Sequence, residues 1–446
     1  MTFLILFCYH YPYPSYRTVR PGFGPGAIEE ILSKSMETPS QYIRALIKWC
    51  LLSIAVGAVS GLLGSAFHIG VGLATAFRES NPWLLYLLPA AGLAIVGIYR
   101  IFGLEGQNTN TVIEEVHSGN GLKPQLLPAI FFSTILTHLC GGSVGREGAA
   151  LQMGGTVGYY YGRLVRLDDK DLRTATMAGM AAFFAALFGT PLAAAVFAMS
   201  VISVGLVYYA ALLPCLLSSL VAYGISVLLG VEPTRFSVTI PEVDALTLVK
   251  VGALGALCAF VTILFCRGIH FTEEFMEKIM PNMWLRSAAG GAVIVLLTLV
   301  VGTRDYNGAG MQIIVAAIES GTVVPCAFLL KILFTAITLG AEFKGGEVVP
   351  SFFVGAAFGC AVGPLLGLPA GFAAAIGLAA VFCSAVNCPL ASIFLAGELF
   401  GGGGILYFGL ACIVSYVLSG YSGLYSGQKM VYSKVKAQYI NINTRK

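Results

Sequence analysis

Charged residues are scarce in this chain of 446 residues. Asp, Glu, Lys and Arg make up 11% of it, whereas they make up about a quarter of an ordinary globular protein. Hydrophobic residues make up 57%. So little charge cannot cover the surface of a water-soluble protein of this length. The composition therefore excludes a soluble globular fold and predicts an integral membrane protein.

The long apolar runs lack the alternation of apolar and polar residues that marks the strands of a membrane β-barrel. Runs such as LLSIAVGAVSGLLGSAF and AAGGAVIVLLTLVVG meet or approach the roughly 20 apolar residues that a helix needs to cross a bilayer. About a dozen such segments occur, and several are too short to span it alone. Because an open sheet would leave backbone groups unsatisfied in hydrocarbon, we predict an all-α membrane fold in which several helices break partway.

Metal and disulfide motifs are also missing. The 11 cysteines are scattered without a CxxC pair, and the five histidines have no metal-ligand spacing. Nothing in the chain resembles a nucleic-acid surface. We therefore predict no metal, no cofactor, no nucleic-acid partner and no enzymatic activity. An intramembrane enzyme is a remote alternative, with Ser143 or Cys140 as nucleophile and His138 as base.

The basic residues that are present crowd the two ends of the chain. They include Arg17, Arg20, Lys34, Arg44 and Lys48, and then Lys429, Lys434, Lys436, Arg445 and Lys446. Positive charge beside membrane segments favours the cytoplasmic side. We therefore predict a multi-pass protein of the plasma membrane with both termini in the cytoplasm.

The first 44 residues differ from the rest of the chain. They are rich in Pro and Tyr, as in YHYPYPSYRTVRPGFGPG, and their apolar start is too short for the core of a signal peptide. We expect residues 1–44 to be a disordered leader, or translation to start at Met36, just before the first membrane helix.

An internal repeat divides the remainder of the chain. AGMAAFFAALFGTPLAAAVFAMSV at residues 178–201 parallels IGLAAVFCSAVNCPLASIFLAGEL at residues 376–399. Each is a small-residue helix that breaks before a proline, Pro191 or Pro389. Two halves with broken helices at corresponding places indicate a transporter whose site lies between the repeats. The predicted divisions are a first membrane repeat over 45–235, a second over 236–430 and a cytoplasmic tail over 431–446.

A glycine turn lies within each half, before its small-residue helices: GGSVGREG begins at Gly141 and GGEVVP at Gly345. Glycine lets the backbone bend with positive φ, and the first N–H groups of the following helix have no partner within that helix. Those N–H groups and the positive end of the helix dipole form an anion site. Glu147 starts such a helix, so its carboxylate is predicted to occupy the anion site when ionised and to leave it when protonated. The alternative is that Arg146 and Glu147 only cap the helix or pair with neighbours.

GREG with Gln152 five residues after its glutamate, the later GGEVVPSFFVGAAFG and the two small-residue helices resemble the CLC family of chloride channels and transporters. The resemblance extends over residues 45–430. It implies two inverted repeats whose broken helices meet at a mid-membrane anion site. It also implies a homodimer with one pathway in each subunit, and Glu147 as the external gate.

The chain departs from the chloride-transporting pattern of that family at three places. GQNTNTVIEEV stands where the family has GSGIP, Val201 stands where it has an internal proton glutamate, and the GGEVVP stretch carries an additional glutamate, Glu347. These changes resemble the fluoride-exporting CLC-F branch, whose members are fluoride/proton antiporters. The resemblance also makes Tyr425 a pathway residue, whereas the branch commonly has threonine where this chain has Val349.

The resemblance and the local chemistry together give a predicted site. Glu147 and Glu347 are its gating and proton-coupling residues. The alternative for Glu347 is a helix N-terminal glutamate that the dipole satisfies, with Lys344 as its partner. The predicted anion-binding residues are Asn108, Asn110, Gly145, Arg146, Gly148, Val348, Val349 and Tyr425.

Export of fluoride in exchange for protons is the predicted function, with the lipid bilayer and a second copy of the chain as partners. Fluoride is small and strongly hydrated, so replacing its water requires close donors, such as the amide groups of Asn108 or Asn110 and backbone N–H groups. The same donors would hold chloride, so a CLC-type chloride/proton exchanger or chloride channel is the alternative. Glu398 is expected only to pair at a helix end.

Overall fold

The computed structural model describes residues 39–119, 121–436 and 438–444. Within these ranges the chain forms sixteen α-helices and three short β-strands. The helices of the first half are α1 (Pro39–Ser80), α2 (Leu88–Ile101), α3 (Thr109–Ser118), α4 (Leu126–Cys140), α5 (Glu147–Leu164), α6 (Asp169–Phe188), α7 (Pro191–Ser200) and α8 (Leu212–Leu228). Those of the second half are α9 (Ala245–Ile279), α10 (Met283–Val301), α11 (Met311–Val315), α12 (Ala327–Gly340), α13 (Val348–Val362), α14 (Ala370–Val386), α15 (Pro389–Phe400) and α16 (Ile405–Leu418). The strands are β1 (Ser203–Val204), β2 (Lys429–Tyr432) and β3 (Tyr439–Asn443).

Helix length varies widely along the chain. Among the described residues, six segments are long and apolar enough to cross a membrane, and seven shorter apolar helices have 10–17 residues. A helix of ten residues such as α7 is about 15 Å long, half the thickness of the hydrocarbon layer. The lengths therefore agree with the predicted membrane fold, in which several helices end partway across the bilayer.

Both predicted proline breaks are present. Gly189 ends α6 with φ of +67° and α7 begins at Pro191, while Asn387 ends α14 with φ of +56° and α15 begins at Pro389. The N–H groups in the first turn of a helix have no partner within the helix. Proline has no N–H group, so it starts a helix readily. Asparagine tolerates the left-handed region, and the amide oxygen of Asn387 accepts a hydrogen bond from Lys434 Nζ at 2.6 Å.

Close glycine contacts join the helices that follow the two glycine turns. A Cβ atom on Gly154 of α5 would collide with the carbonyl of Gly179 of α6, and one on Gly355 of α13 would collide with the carbonyl of Gly377 of α14. Small residues at such contacts let helix backbones approach closely in a membrane. Corresponding helix pairs in the two halves therefore pack in the same way, as the internal repeat predicts.

The C-terminal residues are folded, although the sequence predicted only a tail from residue 431. β2 pairs in parallel with β1, where Lys429 lies opposite Ser203, and antiparallel with β3. Gln428, just before β2, is fully buried, and its amide donates to the carbonyl of Val201 at 2.9 Å. This pairing joins residues far apart in sequence, so the local pattern did not reveal it.

The predicted leader lies mostly outside the described residues, which begin at residue 39. Residues 39–44, which the prediction included in the leader, instead belong to α1. No glycine or proline lies between residues 40 and 44 to interrupt a helix. The predicted division between the repeats at residues 235 and 236 falls between α8 and α9.

Candidate functional site

The two glycine turns meet face to face. The N–H of Gly145 donates to the carbonyl of Gly346 at 2.6 Å, and the N–H of Gly346 donates to the carbonyl of Gly145 at 2.8 Å. Reciprocal bonds between corresponding residues are the pattern that a local two-fold axis produces. The bridge aligns Gly145 with Gly346, whereas the sequence comparison had set Gly141 beside Gly345. The N-termini of α5 and α13, one from each half, are thereby brought together.

The carboxylate of Glu147 binds both of these helix ends. Its side chain is fully buried, and its Oε2 accepts hydrogen bonds from the backbone N–H of Arg146 at 2.9 Å and of Val349 at 3.3 Å. Its Oε1 has no hydrogen-bond partner among the described residues and lies 3.9 Å from Nε of Arg146. Capping of its own helix does not explain the bond to Val349, which comes from the other half. Glu147 therefore occupies the kind of anion site that the sequence predicted.

The start of a third helix, α3, also lies beside these helix ends, and Thr109 is the residue that contacts them. This residue is buried, and its Oγ1 accepts a hydrogen bond from Gln152 Nε2 at 3.3 Å. Gln152 Nε2 also lies 3.3 Å from the carbonyl of Gly148, and Gln152 Oε1 is unpaired within the described part of the chain. A Cβ on Gly148 would lie 2.8 Å from Thr109 Oγ1, so only glycine allows this approach. Thr109 and Gln152 were quoted in the motifs but not predicted to bind the anion.

The two predicted asparagine donors have other partners. Asn108 caps α3, since its side chain accepts from the N–H of Asn110 at 3.0 Å and its own N–H donates to Thr111 Oγ1 at 3.2 Å. The amide oxygen of Asn110 accepts from the N–H of Gly427 at 3.0 Å. Both asparagines line a cavity, but Thr109 between them is the side chain that reaches Gly148. An Asn with Thr three residues later is a helix-capping pattern, and it could have indicated this arrangement.

Two cavities approach the site. The first, of 640 Å³, is here called the Glu147 cavity, and its lining includes Glu147, Val349, Arg146, Arg78 and Arg304. The second, of 320 Å³, is called the Glu347 cavity, and its lining includes Glu347, Tyr425, Gln152, Asn108 and Asn110.

The two cavities open at opposite ends of α10. Met283, at the start of this helix, lines the Glu347 cavity. Arg304, three residues past its end, lines the Glu147 cavity. α10 has 19 residues and is apolar enough to span a membrane, so the two cavities lie on opposite sides of the bundle.

Glu347 is the N-cap residue of α13 and faces its own cavity. Its Oε2 is buried and has no hydrogen-bond partner in the described residues. Lys344 is not the partner that the alternative for Glu347 assumed, because Lys344 Nζ lies 3.2 Å from Oε2 of Glu342. Glu342 has a left-handed backbone with φ of +69°, and Arg286 Nη2 binds its other oxygen at 2.5 Å. An unpaired, buried carboxyl oxygen leaves Glu347 able to hold a proton.

The remaining predicted residues also lie around the two helix ends. Tyr425 is 1% exposed, and its hydroxyl lines the Glu347 cavity without a hydrogen-bond partner in the part that the structure describes. Val348 and Val349 are buried at the start of α13, where Val349 contributes its N–H group to Glu147. That these residues bind the transported anion stays a prediction.

The residues of the enzyme alternative do not form a catalytic pair. Ser143 Oγ lies 3.1 Å from Thr335 Oγ1 and accepts a hydrogen bond from Lys331 Nζ at 3.0 Å. The ring of His138 instead lies 3.3 Å from the carbonyl oxygen of Gly145. A nucleophile needs its base within hydrogen-bond reach, and these two side chains are bound to other groups.

Glu398 pairs at a helix end, as predicted. Its two carboxylate oxygens accept hydrogen bonds from the backbone N–H of Leu192 at 3.2 Å and of Ala193 at 2.8 Å. Both N–H groups belong to the first turn of α7, which has no partner for them within the helix. Glu398 therefore stabilises one half-helix from the other half of the chain.

Comparison with known proteins agrees with this architecture. Residues 91–420 match the protein family described as voltage gated chloride channel. A chloride/fluoride channel protein of Pseudomonas syringae pv. tomato is 36% identical over 87% of this chain and 88% of that protein. The H(+)/Cl(-) exchange transporter ClcA of Vibrio cholerae serotype O1 is 28% identical over 83% of this chain and 84% of that protein.

The crystal structure of a CLC-type fluoride/proton antiporter matches with a TM-score of 0.82 and 33% identity, covering 89% of this chain and all of that one. These matches confirm the predicted all-α, CLC-like membrane fold. They also confirm the prediction of a transport protein over the intramembrane enzyme.

Proposed function

The chain belongs to the CLC family of voltage gated chloride channels, and we propose that it exports fluoride from the cytoplasm in exchange for protons. One observation carries the proposal: a single buried carboxylate, Glu147, accepts backbone hydrogen bonds from the start of α5 and from the start of α13. The carboxylate of Glu147 and a free anion cannot bind these N–H groups at the same time. Binding of the anion is therefore coupled to the protonation state of Glu147.

The coupling follows from the chemistry of a carboxyl group. Ionised, Glu147 accepts the hydrogen bonds from Arg146 and Val349 and keeps anions out. Protonated, it is neutral and a weaker acceptor, so an anion displaces it from the two N–H groups. Glu347, in the other cavity, is the second proton-holding acid. Protons then move between the two glutamates while the anion passes the helix ends.

Two relatives support fluoride as the exported ion. The Pseudomonas syringae protein is described as a chloride/fluoride channel protein, and the matching structure is that of a fluoride/proton antiporter. Thr109, Gln152 and Tyr425 line the Glu347 cavity with two hydroxyls and an amide, and Gln152 Nε2 lies 3.3 Å from both Thr109 Oγ1 and the carbonyl oxygen of Gly148. Close donors of this kind replace the water that fluoride loses on binding.

Orientation and assembly are parts of the same proposal. Tyr425 lies in the segment that leads into β2, so the Glu347 cavity opens on the side of the C-terminal strands. The basic residues near both ends of the chain favour the cytoplasm for that side, so the protein lies in the plasma membrane with both termini in the cytoplasm.

We propose a homodimer with one pathway in each subunit, as in the CLC pattern. Single-molecule photobleaching that showed one bleaching step for every complex would contradict the dimer.

Reconstitution into sealed vesicles tests the function. Vesicles loaded with fluoride are diluted into fluoride-free buffer, and external fluoride and pH are followed together with electrodes. We expect fluoride efflux to drive proton uptake, with a much slower release in vesicles loaded with chloride. Equal release of chloride and fluoride would identify a chloride exchanger, and fluoride release without proton movement would identify a channel.

A further inference from the structure

Among the titratable residues that α9 presents to the Glu347 cavity, His270 and Glu273 lie one turn apart. His270 is 6% exposed, whereas the side chain of Glu273 is 44% exposed. Nδ1 of His270 lies 3.6 Å from Oε2 of Glu273. The pair therefore extends from water at the mouth of the cavity to its buried wall.

The hydrogen bond on the other side of the ring fixes the tautomer of His270. Nε2 lies 2.9 Å from the carbonyl oxygen of Gly423. A carbonyl oxygen can only accept, so Nε2 carries the hydrogen and, in the neutral ring, Nδ1 holds the lone pair that faces Glu273. A lone pair and a carboxylate repel each other, whereas a proton on Nδ1 turns the contact into an ion pair. One proton therefore completes the arrangement.

The same pair adjoins the groups of the proposed transport site. Gly423 lies two residues before Tyr425, whose hydroxyl is buried without a partner among the described residues. Glu347 has a buried oxygen without a hydrogen-bond partner among the described residues, and it lines the same cavity as Glu273 and His270. The histidine, the two glutamates and the tyrosine thus line one cavity.

Other charged groups also face this region. They are Glu274, Glu277 and, one turn before His270, Arg267 on α9, with Arg286 on α10 and Glu342 and Lys344 from the loop before α13. Arg286 and Lys344 are bound to Glu342 at 2.5 and 3.2 Å. These two cations are therefore already paired, and the carboxylate of Glu273 lies 3.6 Å from His270 Nδ1.

We propose that His270 and Glu273 pass the transported proton between Glu347 and the water outside the cavity. The inference rests on the proposed proton-coupled function. The O–H bond of protonated Glu347 breaks as water in the cavity takes the proton, and an N–H bond forms at Nδ1 of His270. That N–H bond then breaks as the proton passes to the carboxylate of Glu273 and on to bulk water. No electrons are transferred, and the reverse sequence carries a proton from bulk water to Glu347.

Two substitutions test the pair against a matched control. His270→Gln keeps an amide N–H for the Gly423 carbonyl but removes the titratable ring, and Glu273→Gln removes the carboxylate. Glu277→Gln removes a similar charge one turn further along α9. Each full-length variant is reconstituted in vesicles, and fluoride efflux and proton uptake are measured with increasing imidazole in the buffer on both sides.

The expected result separates proton transfer from a structural role. His270→Gln and Glu273→Gln should slow proton-coupled efflux about tenfold or more, since a positioned side chain commonly speeds proton transfer by about 10²–10⁴-fold and water carries part of the flow. The ratio of protons to fluoride should not change, and imidazole should restore much of the rate of His270→Gln. Glu277→Gln should match the wild type.

Three outcomes would overturn the inference. Both variants could exchange as fast as the wild type, imidazole could fail to restore His270→Gln, or Glu277→Gln could be slowed as much as Glu273→Gln. The last result would mean that the overall negative charge of the cavity, and not Glu273 in particular, determines the rate of exchange. A wild-type protein that moves fluoride without protons would instead overturn the proposed function, and the inference with it.

Discussion

Corresponding positions in the two halves carry different charges. When the bridge between the glycine turns aligns the halves, Arg146 corresponds to Glu347 and Glu147 to Val348. The two acids that we propose hold protons are therefore not related by the two-fold axis. Glu147 folds back onto the N–H groups of both helix ends, whereas Glu347 is an N-cap that faces the opposite cavity. The two helix ends thus have similar backbones but different charges, and one acid faces each cavity, as the proposed proton-coupled exchange requires.

Replacing Glu147 with glutamine is expected to abolish proton coupling. The amide is isosteric with the protonated acid but cannot release a proton, so proton uptake per fluoride should fall about tenfold or more, while some uncoupled fluoride flux persists. Simultaneous fluoride and pH recordings from vesicles measure both. Glu79→Gln, at the exposed edge of the same cavity, serves as the control and should keep coupling. Normal coupling in Glu147→Gln would make Glu147 a structural charge.

Single residues also show where sequence reasoning stops. The position of Glu147 at a helix start was predictable, because a glycine turn followed by a helical run is a local signal. Its bond to Val349 was not, because that residue comes from the other half. The pairing of Lys344 with Glu342 depends on a left-handed backbone at a glutamate, which no propensity would suggest.

At the scale of helices, the local rules proved most reliable at the breaks. Pro191 and Pro389 begin α7 and α15 as predicted, since proline fixes the first turn wherever the chain places it. The functions of the short helices depend instead on long-range contacts, such as that between Glu398 and the first turn of α7. The sequence therefore predicts where a half-helix begins, but it does not predict which group accepts hydrogen bonds from the unpaired N–H groups of its first turn.

Gly355→Ala is expected to weaken the packing of α13 on α14. The added methyl group would meet the carbonyl of Gly377 and lie 2.9 Å from Cα of Leu378, both on backbone that cannot easily move. Overpacking of this kind costs about 1–3 kcal/mol. The half-time of unfolding in detergent at a fixed elevated temperature measures the effect, because large proteins often unfold irreversibly.

Gly252→Ala in α9 is the matched control for that substitution. A Cβ there would meet no atom within 4 Å. Alanine also stabilises a helix by about 1 kcal/mol relative to glycine, so this variant should unfold no faster than the wild type. Equal unfolding rates for Gly355→Ala and the wild type would show that α13 and α14 can separate without loss of stability.

For the whole molecule, the decisive feature is that two cavities approach one site from opposite sides. α10 runs from the Glu347 cavity at Met283 toward the Glu147 cavity at Arg304. The Glu147 cavity has Arg78, Arg146 and Arg304 in its wall, while glutamates of α9 line the other. The lining of the Glu147 cavity also includes Glu79, Glu147 and Asp305, so its formal charges balance, whereas acidic residues outnumber basic ones around the Glu347 cavity. Composition predicted a membrane protein, but this separation depends on the packing of both halves.

The last prediction concerns the sides of the membrane on which the cavities open. Glu79 is an exposed residue of the Glu147 cavity, and Glu277 is an exposed residue of the Glu347 cavity, so each can be replaced by cysteine in a background where Cys8, Cys50 and Cys326 are serine. If both termini are cytoplasmic, a membrane-impermeant thiol reagent should label Glu79→Cys in intact cells and Glu277→Cys only in inside-out vesicles. Lys436→Cys, near the C-terminus, should behave like Glu277→Cys. Fluoride efflux from each unlabelled variant confirms that it is folded. Labelling of Glu79→Cys and Glu277→Cys from the same side would contradict a pathway that connects two faces, and reversed sidedness of all three would place the termini outside the cell.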